Sequence, residues 1–203
     1  KELVLDDFKL ELPIQNGYVK VNVIVYESHL FSNTQIQVEE LQVIDGKLVL
    51  DENLKWVAVF NRYGKGTQAI HLVRNFGTRA GAIASTISHD SHNLTIVYQE
   101  AEDALKAYQS LNQAKGGMSA VYQAEVQTLA LPIAGLMTNR PAIEHIQSVN
   151  KMKALMRKMG LDKIENPLLR IVTLALIVIP YAKMSDLGCV DVISKTFIPL
   201  FVD

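Results

Sequence analysis

The feature that most constrains the fold is a change of hydrophobic periodicity along the chain. Residues 18–26 alternate between polar and apolar side chains and are rich in β-branched residues, which indicates a half-buried strand. Residues 101–115 instead carry apolar side chains at helical spacing, with acidic residues at their start, where the helix dipole favours negative charge. Because both periods occur in one chain, we predict an α/β or α+β fold with a mixed β-sheet and a few packing helices.

Further strands are predicted in the first third of the chain. Asp45-Gly46 is a turn-forming pair between apolar flanks, so residues 36–44 and 47–51 are expected to form a hairpin. Residues 55–60 have the composition of a mostly buried strand, and after a glycine-containing loop residues 68–74 continue as another strand.

The middle of the chain predicts a strand–helix–strand unit. Residues 94–98 form its first strand, the helix follows, and residues 118–123 form its second strand. Such a unit usually makes a right-handed crossover between parallel strands. The remaining predicted elements are a strand at 126–131, a helix at 141–159, a buried helix at 166–176 and an extended tail.

The length of 203 residues corresponds to one large domain or two small ones. A soft boundary near 52–54 divides the chain into a β-rich segment, 1–54, and an α/β domain, 55–203. The first residue is Lys1 rather than Met, and no secretory signal follows it, so we expect a piece of a longer protein or a processed product. The longest near-apolar run, 168–181, is shorter than the roughly 17–25 residues of a spanning helix, and a cytoplasmic location is expected.

Charge and cysteine content exclude several classes of function. The chain has 20 Lys and Arg against 21 Asp and Glu, so it has no basic excess that would attract nucleic acid or an anionic membrane. Its single cysteine, Cys189, excludes an internal disulfide. It also excludes a zinc site that needs two thiolates, such as the site of the cytidine deaminase type.

The densest group of polar residues is Ser88–Asn93, between the small-residue stretch 81–87 and the strand 94–98. Polar side chains at the end of a strand need hydrogen-bond partners if they are buried. Loops beside strand ends are also common ligand sites in α/β folds. This loop is therefore the strongest candidate for a functional site.

Three interpretations of this loop remain open. His89, Asp90 and His92 supply side chains that can bind a metal ion, although their spacing matches no established metal motif. The same three side chains can transfer protons or orient a substrate. In a purely structural interpretation, carboxylate and amide groups cap turns and the imidazoles satisfy backbone groups.

If the loop recognises a substrate, its remaining polar residues are the candidates for binding it. Ser88, Ser91 and Asn93 can hydrogen-bond a polar heterocycle. The segment Asn61–Gly66 contains basic residues and glycines but does not match a phosphate-binding loop, so no role is assigned to it. The isolated histidines are interpreted as core or surface residues: His29, His71 and His145.

Three separate motifs resemble the C-terminal domain of bacterial adenine deaminases. Residues 81–93 resemble the hallmark segment of that family, preceded by Phe76-Gly77 as in the family. Residues 129–137 resemble its second hallmark, and 174–180 followed by 188–192 resemble its closing segment. The motifs stand in the family's order and together cover about residues 55 to 192.

The resemblance implies the hydrolytic deamination of adenine to hypoxanthine and ammonia. It also implies an amidohydrolase barrel that carries a manganese or iron pair, in which a metal-activated water attacks the purine. This chain is shorter than a barrel of about 250 residues and lacks the family's H-x-H motif. We therefore expect an accessory domain that follows the barrel, holds no cofactor itself and is inactive alone.

The resemblance further implies that the Ser88–Asn93 loop faces the active site of the protein's own N-terminal barrel, where a small purine binds, in an enzyme that is a homo-oligomer. Some positions depart from the family pattern: Asn61-Arg62-Tyr63 stands in place of Glu-Arg-His, and Tyr98-Gln99-Glu100 in place of a small turn. We therefore expect a divergent branch. Two alternatives are a non-catalytic scaffold or oligomerisation module of an amidohydrolase with another substrate, and an independent metal- or ligand-binding protein.

Overall fold

The computed structural model describes residues 2–27 and 32–202. His29, which the sequence leaves as an isolated histidine, lies outside the described residues. Most of the strands belong to one nine-stranded mixed sheet with the order β3-β2-β1-β5-β4-β7-β6-β8-β9. In chain order these strands are β1 Gly17–Tyr26, β2 Thr34–Ile44, β3 Lys47–Leu48, β4 Leu54–Phe60, β5 Gln68–Arg74, β6 Ala82–Ser85, β7 Leu94–Tyr98, β8 Gly117–Tyr122 and β9 Glu125–Ala130.

Within the described ranges, three helices and a small second sheet complete the domain. The helices are α1 Ala101–Gln113, α2 Ala142–Lys158 and α3 Pro167–Val172, and short 3-10 turns span Leu5–Phe8 and Leu161–Lys163. The second sheet is antiparallel and consists of β10 Ala182–Ser185, β11 Gly188–Asp191 and β12 Thr196–Ile198. The predicted mixed α/β class without a closed barrel is confirmed.

The hairpin and the strand–helix–strand unit form as the sequence predicts. Ile44 pairs with Lys47 across the Asp45-Gly46 turn. Strands β7 and β8 both run antiparallel to β6, so they are parallel to each other and α1 crosses over between them. The division of the chain into a segment 1–54 and a domain 55–203 stays a prediction about folding units.

Strand β6, which lies between β7 and β8, was missing from the sequence prediction. All four of its residues are buried, so the segment has no polar–apolar alternation to reveal a strand. The predicted helix at 166–176 is also shorter in the structure, because consecutive turns replace α-helix after Val172. Pro180 follows those turns, and a proline disfavours helical backbone at the residue before it.

Strand β4 shows that the large sheet is covered on both faces. Val57 and Val59 are fully buried in a cluster with residues of α2 and α3, whereas Ala58 and Phe60 are buried in a second cluster with residues of α1. Side chains of a strand alternate between faces, so the helices lie on opposite sides of the sheet. Among the described residues, no helix is long and apolar enough to cross a membrane.

Candidate functional site

The loop Ser88–Asn93 connects β6 to β7 and is anchored at both ends. Ser88 is fully buried, and its Oγ lies 2.7 Å from Oγ1 of Thr95. Asn93 is also buried, and the Ser91 hydroxyl accepts its backbone N–H at 3.4 Å. Asp90 and Ser91 are exposed. The loop therefore has an internally bonded base and a middle that faces solvent.

His92 closes the loop onto Ser88. The backbone N–H of His92 donates to the Ser88 carbonyl at 2.6 Å, and the Ser88 N–H donates to His92 Nδ1 at 3.3 Å. Because Nδ1 accepts a hydrogen bond, the neutral imidazole carries its proton on Nε2. This arrangement leaves Nε2 as the ring nitrogen that can exchange a proton with another group.

The charge state of His92 is set by its surroundings. Partial burial lowers the pKa of His92, and the nearby His89 and Arg62 lower it further, while Asp90 opposes them. The imidazole is therefore held neutral at a pH where a free histidine begins to protonate. The His89 ring stands edge-on to the His92 ring, with centroids 5.3 Å apart, and makes no hydrogen bond to any described residue.

Arg62 joins this loop to a second family motif. Its Nε donates to the His92 carbonyl at 2.6 Å, and its Nη2 donates to the carbonyl of Ala134, in the turn of residues 132–137. Tyr63 supports the same contact, since its hydroxyl donates to the His92 carbonyl at 3.3 Å and its ring lies beneath the guanidinium. Two motifs that are distant in sequence thus converge on one arginine.

The turn that contains Gly135 is packed closely against this arginine. A Cβ at Gly135 would lie 3.0 Å from Arg62 Cζ and closer still to Nη1. The Thr86 hydroxyl donates to the Gly135 carbonyl at 2.7 Å and accepts the Gly117 N–H at 2.8 Å. Thr86 therefore links β6, β8 and the turn, and glycine is the residue that this close packing accommodates.

Asp186, in the turn between β10 and β11, anchors the loop that carries Arg62. It accepts hydrogen bonds from Nδ2 of Asn61, at 3.0 Å, and from the hydroxyl of Thr67. Partial burial by itself would raise the pKa of Asp186, but the hydrogen bonds from Thr67 and Asn61 outweigh it and lower the pKa. The carboxylate form is thus stabilised, and a turn between the two parts of the closing segment also contributes to the site.

We call this group of residues the arginine-centred site: Asn61, Arg62, Tyr63, Ser88–Asn93, Ala134, Gly135 and Asp186. The structure brings the sequence-predicted residues His89, Asp90, Ser91 and His92 together at its surface, and it buries Ser88 and Asn93 below them. The catalytic and substrate-binding roles of these residues stay predictions.

Sequence reasoning missed Arg62, Tyr63 and Asp186. The segment 61–66 does not match a phosphate-binding loop, and Asn61-Arg62-Tyr63 stands out in the sequence only as a departure from the family's Glu-Arg-His. Phe60 pairs with Leu94, so the end of β4 adjoins the start of β7. This pairing places the segment after β4 beside the Ser88–Asn93 loop. Only the strand order contains that information.

The described residues contain no group of three or more His, Cys, Asp or Glu side chains that could hold a metal ion. The interpretation of His89, Asp90 and His92 as metal ligands therefore finds no support among the described residues. The manganese or iron pair that the resemblance implies is expected in the barrel and stays a prediction. One buried acceptor in the loop lacks a donor within the described residues, namely Oδ1 of Asn93. A buried acceptor of this kind favours an additional hydrogen-bonding group, from a ligand or from another domain.

Comparison with known proteins identifies the family. The family model described as adenine deaminase C-terminal domain matches residues 32–196. Adenine deaminase 2 of Carboxydothermus hydrogenoformans is 30% identical over 201 residues, which are 98% of this chain and 30% of that protein. Adenine deaminase of Syntrophobacter fumaroxidans is 34% identical over 193 residues, 94% of this chain and 33% of that protein.

A further relative, the adenine deaminase of Methanoregula boonei, is 38% identical over 152 residues, which are 75% of this chain and 27% of that protein. The chain thus spans about a third or less of the length of these relatives. Every residue of the arginine-centred site lies within the matched region. From the match over residues 32–196, the chain belongs to the adenine deaminase C-terminal domain family.

Proposed function

We propose that this domain works in a metal-dependent adenine deaminase, which hydrolyses adenine to hypoxanthine and ammonia. The arginine-centred site covers or completes an active site that the N-terminal barrel provides. The observation that carries this proposal is the convergence of the family motifs on Arg62, which contacts His92 and Ala134. In the proposal the enzyme belongs to purine metabolism in the cytoplasm and forms homo-oligomers.

The manganese or iron pair is assigned to the N-terminal barrel, and the residues of this chain take no part in holding it. The contribution of this chain is to bind, orient and exclude water. Its Asn93 acceptor has no donor among the described residues, and an amino group or a ring N–H of a purine supplies one. In the proposal, the Ser88–Asn93 loop becomes ordered around the purine when Oδ1 of Asn93 accepts this hydrogen bond.

Proton transfer is assigned to the imidazoles. Because Nδ1 of His92 accepts the Ser88 N–H, the exchangeable proton of the neutral ring is on Nε2. Deamination transfers a proton from the attacking water to the departing amino group, which leaves as ammonia. In the proposal the loop imidazoles relay this proton, and the Nε2–H of His92 is the donor that meets the amino group. His89 and Asp90 lie beside it and tune its charge.

The test uses the full-length enzyme with His89→Ala, Asp90→Ala and His92→Ala. We expect each variant to lower kcat by about tenfold or more while leaving the fold intact, as judged by circular dichroism. His145→Ala, a histidine of α2 outside the site, is the matched control. If all three loop variants deaminate adenine like the control, the loop is structural and the proposal fails.

A second candidate function is a scaffold or oligomerisation module of an amidohydrolase with another substrate. Apolar side chains of the turn 132–137 and of α2 are more than 40% exposed, which favours a protein partner. They are Ile133, Met137, Ile143 and Ile146.

The two candidate functions predict different effects of apolar-to-charged substitutions on assembly state and on turnover. In the scaffold function, Ile143→Lys with Ile146→Lys lowers the assembly state seen by light scattering, and the loop variants leave turnover unchanged. In the deaminase function, the loop variants reduce turnover at unchanged assembly state. Gln147→Lys with Asn150→Lys, at exposed positions of the same helix, controls for the added charge.

A further inference from the structure

The segment before β1 contacts both α1 and the large sheet. We call its residues 2–12 the strap. Phe8 of the strap is 3% exposed and belongs to the buried cluster that contains residues of β4, β7 and α1. The family match covers residues 32–196 and therefore assigns the strap no role.

Two hydrogen bonds hold the strap on the domain. The hydroxyl of Tyr98, the last residue of β7, donates to the Phe8 carbonyl at 2.8 Å. The backbone N–H of Leu3 donates to the hydroxyl of Tyr108, on α1, at 3.3 Å. A 3-10 turn lies between these two points. The strap is thus bonded to α1 and to β7, and the position of Phe8 on the sheet is fixed.

The Phe8 ring packs against the last residue of β4. Its centroid lies 5.3 Å from the Phe60 centroid and 5.9 Å from the Tyr98 centroid, and both contacts are edge-on. Ala58 lies on the same face of β4 as Phe60 and belongs to the same cluster, and its small side chain leaves space for a ring. Edge-on contacts between aromatic rings have a preferred geometry, so Phe8 restrains the position of Phe60.

Two parts of the arginine-centred site begin at Phe60. This residue immediately precedes Asn61 and Arg62 in the chain. It also pairs with Leu94, which immediately follows Asn93. Strand ends open more readily than strand centres, and buried apolar contacts oppose that opening. A contact that restrains Phe60 therefore acts on the arginine and on the end of the polar loop together.

We propose that Phe8 is a positioning residue for the arginine-centred site. By holding Phe60 it keeps the end of β4 closed, so that Arg62 stays bonded to the His92 carbonyl. The strap is then the element through which a displacement of the chain before β1 reaches the site. This inference rests on the proposed function only for its effect on turnover.

Hydrogen exchange of backbone amides in the 203-residue chain tests this role, with Phe8→Leu and Leu12→Ala as the compared variants. Leu12 is also a buried residue of the strap, but it belongs to a different cluster, formed with residues of β1, β2 and β3. Both substitutions remove part of a buried apolar side chain, so both should lower the overall stability. They differ in which part of the domain the side chain contacts.

The two variants are expected to loosen different regions. In Phe8→Leu, the N–H of His92 should exchange about tenfold faster relative to the N–H of Gly46, which lies in the turn between β2 and β3. In Leu12→Ala, the Gly46 N–H should instead be the one that exchanges faster. The ratio of the two rates is compared because a general loss of stability raises both rates equally.

A double variant tests the route from the strap to the loop. If Phe8 acts through Arg62, the His92 N–H in Phe8→Leu with Arg62→Ala should exchange no faster than in Arg62→Ala alone. In the full-length enzyme, Phe8→Leu is expected to lower kcat for adenine by about tenfold, because the loop is less well positioned.

The same ratio of His92 to Gly46 exchange in both strap variants overturns the proposal, since Phe8 is then an ordinary core residue. Fully additive effects of Phe8→Leu and Arg62→Ala overturn it as well, because they exclude the route through Arg62. Selectively faster exchange at His92 with unchanged kcat supports the positioning role of Phe8 and counts against the proposed function instead.

Discussion

Gly135 lies so close to Arg62 that a single methyl group at residue 135 would collide with the guanidinium. This contact joins two family motifs, because the same arginine donates to the carbonyl of His92. The backbone at Gly135 has a φ of 75°, a conformation that non-glycine residues seldom adopt. Position 135 is thus constrained both by its backbone and by its neighbour.

We predict that Gly135→Ala lowers the free energy of unfolding by about 3 kcal/mol, from the left-handed backbone and the displaced arginine together. Gly64→Ala is the matched control, because Gly64 has a φ of 85° and nothing within 4 Å of the added Cβ. It should cost about 1 kcal/mol. Urea denaturation measures both, and equal losses would show that the Arg62 contact carries no energetic weight.

Arg62 is predicted to hold the Ser88–Asn93 loop closed. Arg62→Ala removes the donor to the His92 carbonyl, so the backbone N–H of His92, bonded to Ser88, should exchange with deuterium about tenfold faster. Arg140→Ala, at an exposed position, is the control. Unchanged exchange of the loop in Arg62→Ala would contradict a positioning role.

Thr86→Val is predicted to destabilise the domain by about 2 kcal/mol. The valine has nearly the same shape but leaves the Gly117 N–H and the Gly135 carbonyl without their partner. Thr196→Val, in the exposed part of β12, should change the free energy of unfolding by less than about 0.5 kcal/mol. Thermal denaturation compares the two, and similar melting temperatures would refute the linking role of Thr86.

His71 is predicted to make the fold sensitive to acid. Burial lowers its pKa to about 4, and its Nε2 has no partner among the described residues. Below about pH 6.5 the unfolded chain binds a proton that the folded protein accepts only near pH 4, so stability falls as the pH falls through this interval. The loss is on the order of 3 kcal/mol at most.

Substitution of His71 isolates its share of the pH dependence. In His71→Leu, the free energy of unfolding should decline less steeply between about pH 6.5 and pH 4 than in the unmodified chain. Parallel curves for the two proteins would show that His71 does not titrate differently in the folded state.

Lys183 is predicted to act in the same direction as His71, but at alkaline pH. Burial, aided by the positive Arg170, lowers its pKa to about 8. The folded protein therefore loses this proton near pH 8, whereas the unfolded chain keeps it up to about pH 10.5, so stability rises with pH between these values. Lys183→Met should flatten that rise only in part. Burial also lowers the pKa of Lys55 to about 8, so Lys55 contributes the rest of the rise. An unaltered slope in Lys183→Met would contradict the assignment.

Most strands and the long helices could be predicted from local sequence. The alternation in β1, the Asp45-Gly46 turn and the helical spacing of α1 are each local consequences of which side chains face the core. The polar loop Ser88–Asn93 was likewise visible as a candidate site. Strand β6 was not, because a strand buried on both faces has no alternation to recognise.

Tertiary structure alone decided which residues meet at the site. The sequence determined that this chain mixes strands with helices and that its motifs match one family. Both properties depend on residues that are close together in the sequence. The pairing of β4 with β7 then placed Arg62 beside the loop, and Asp186 reached it from the far end of the chain. Strand order depends on contacts between distant residues, and so the arginine that joins the motifs became identifiable only in the folded domain.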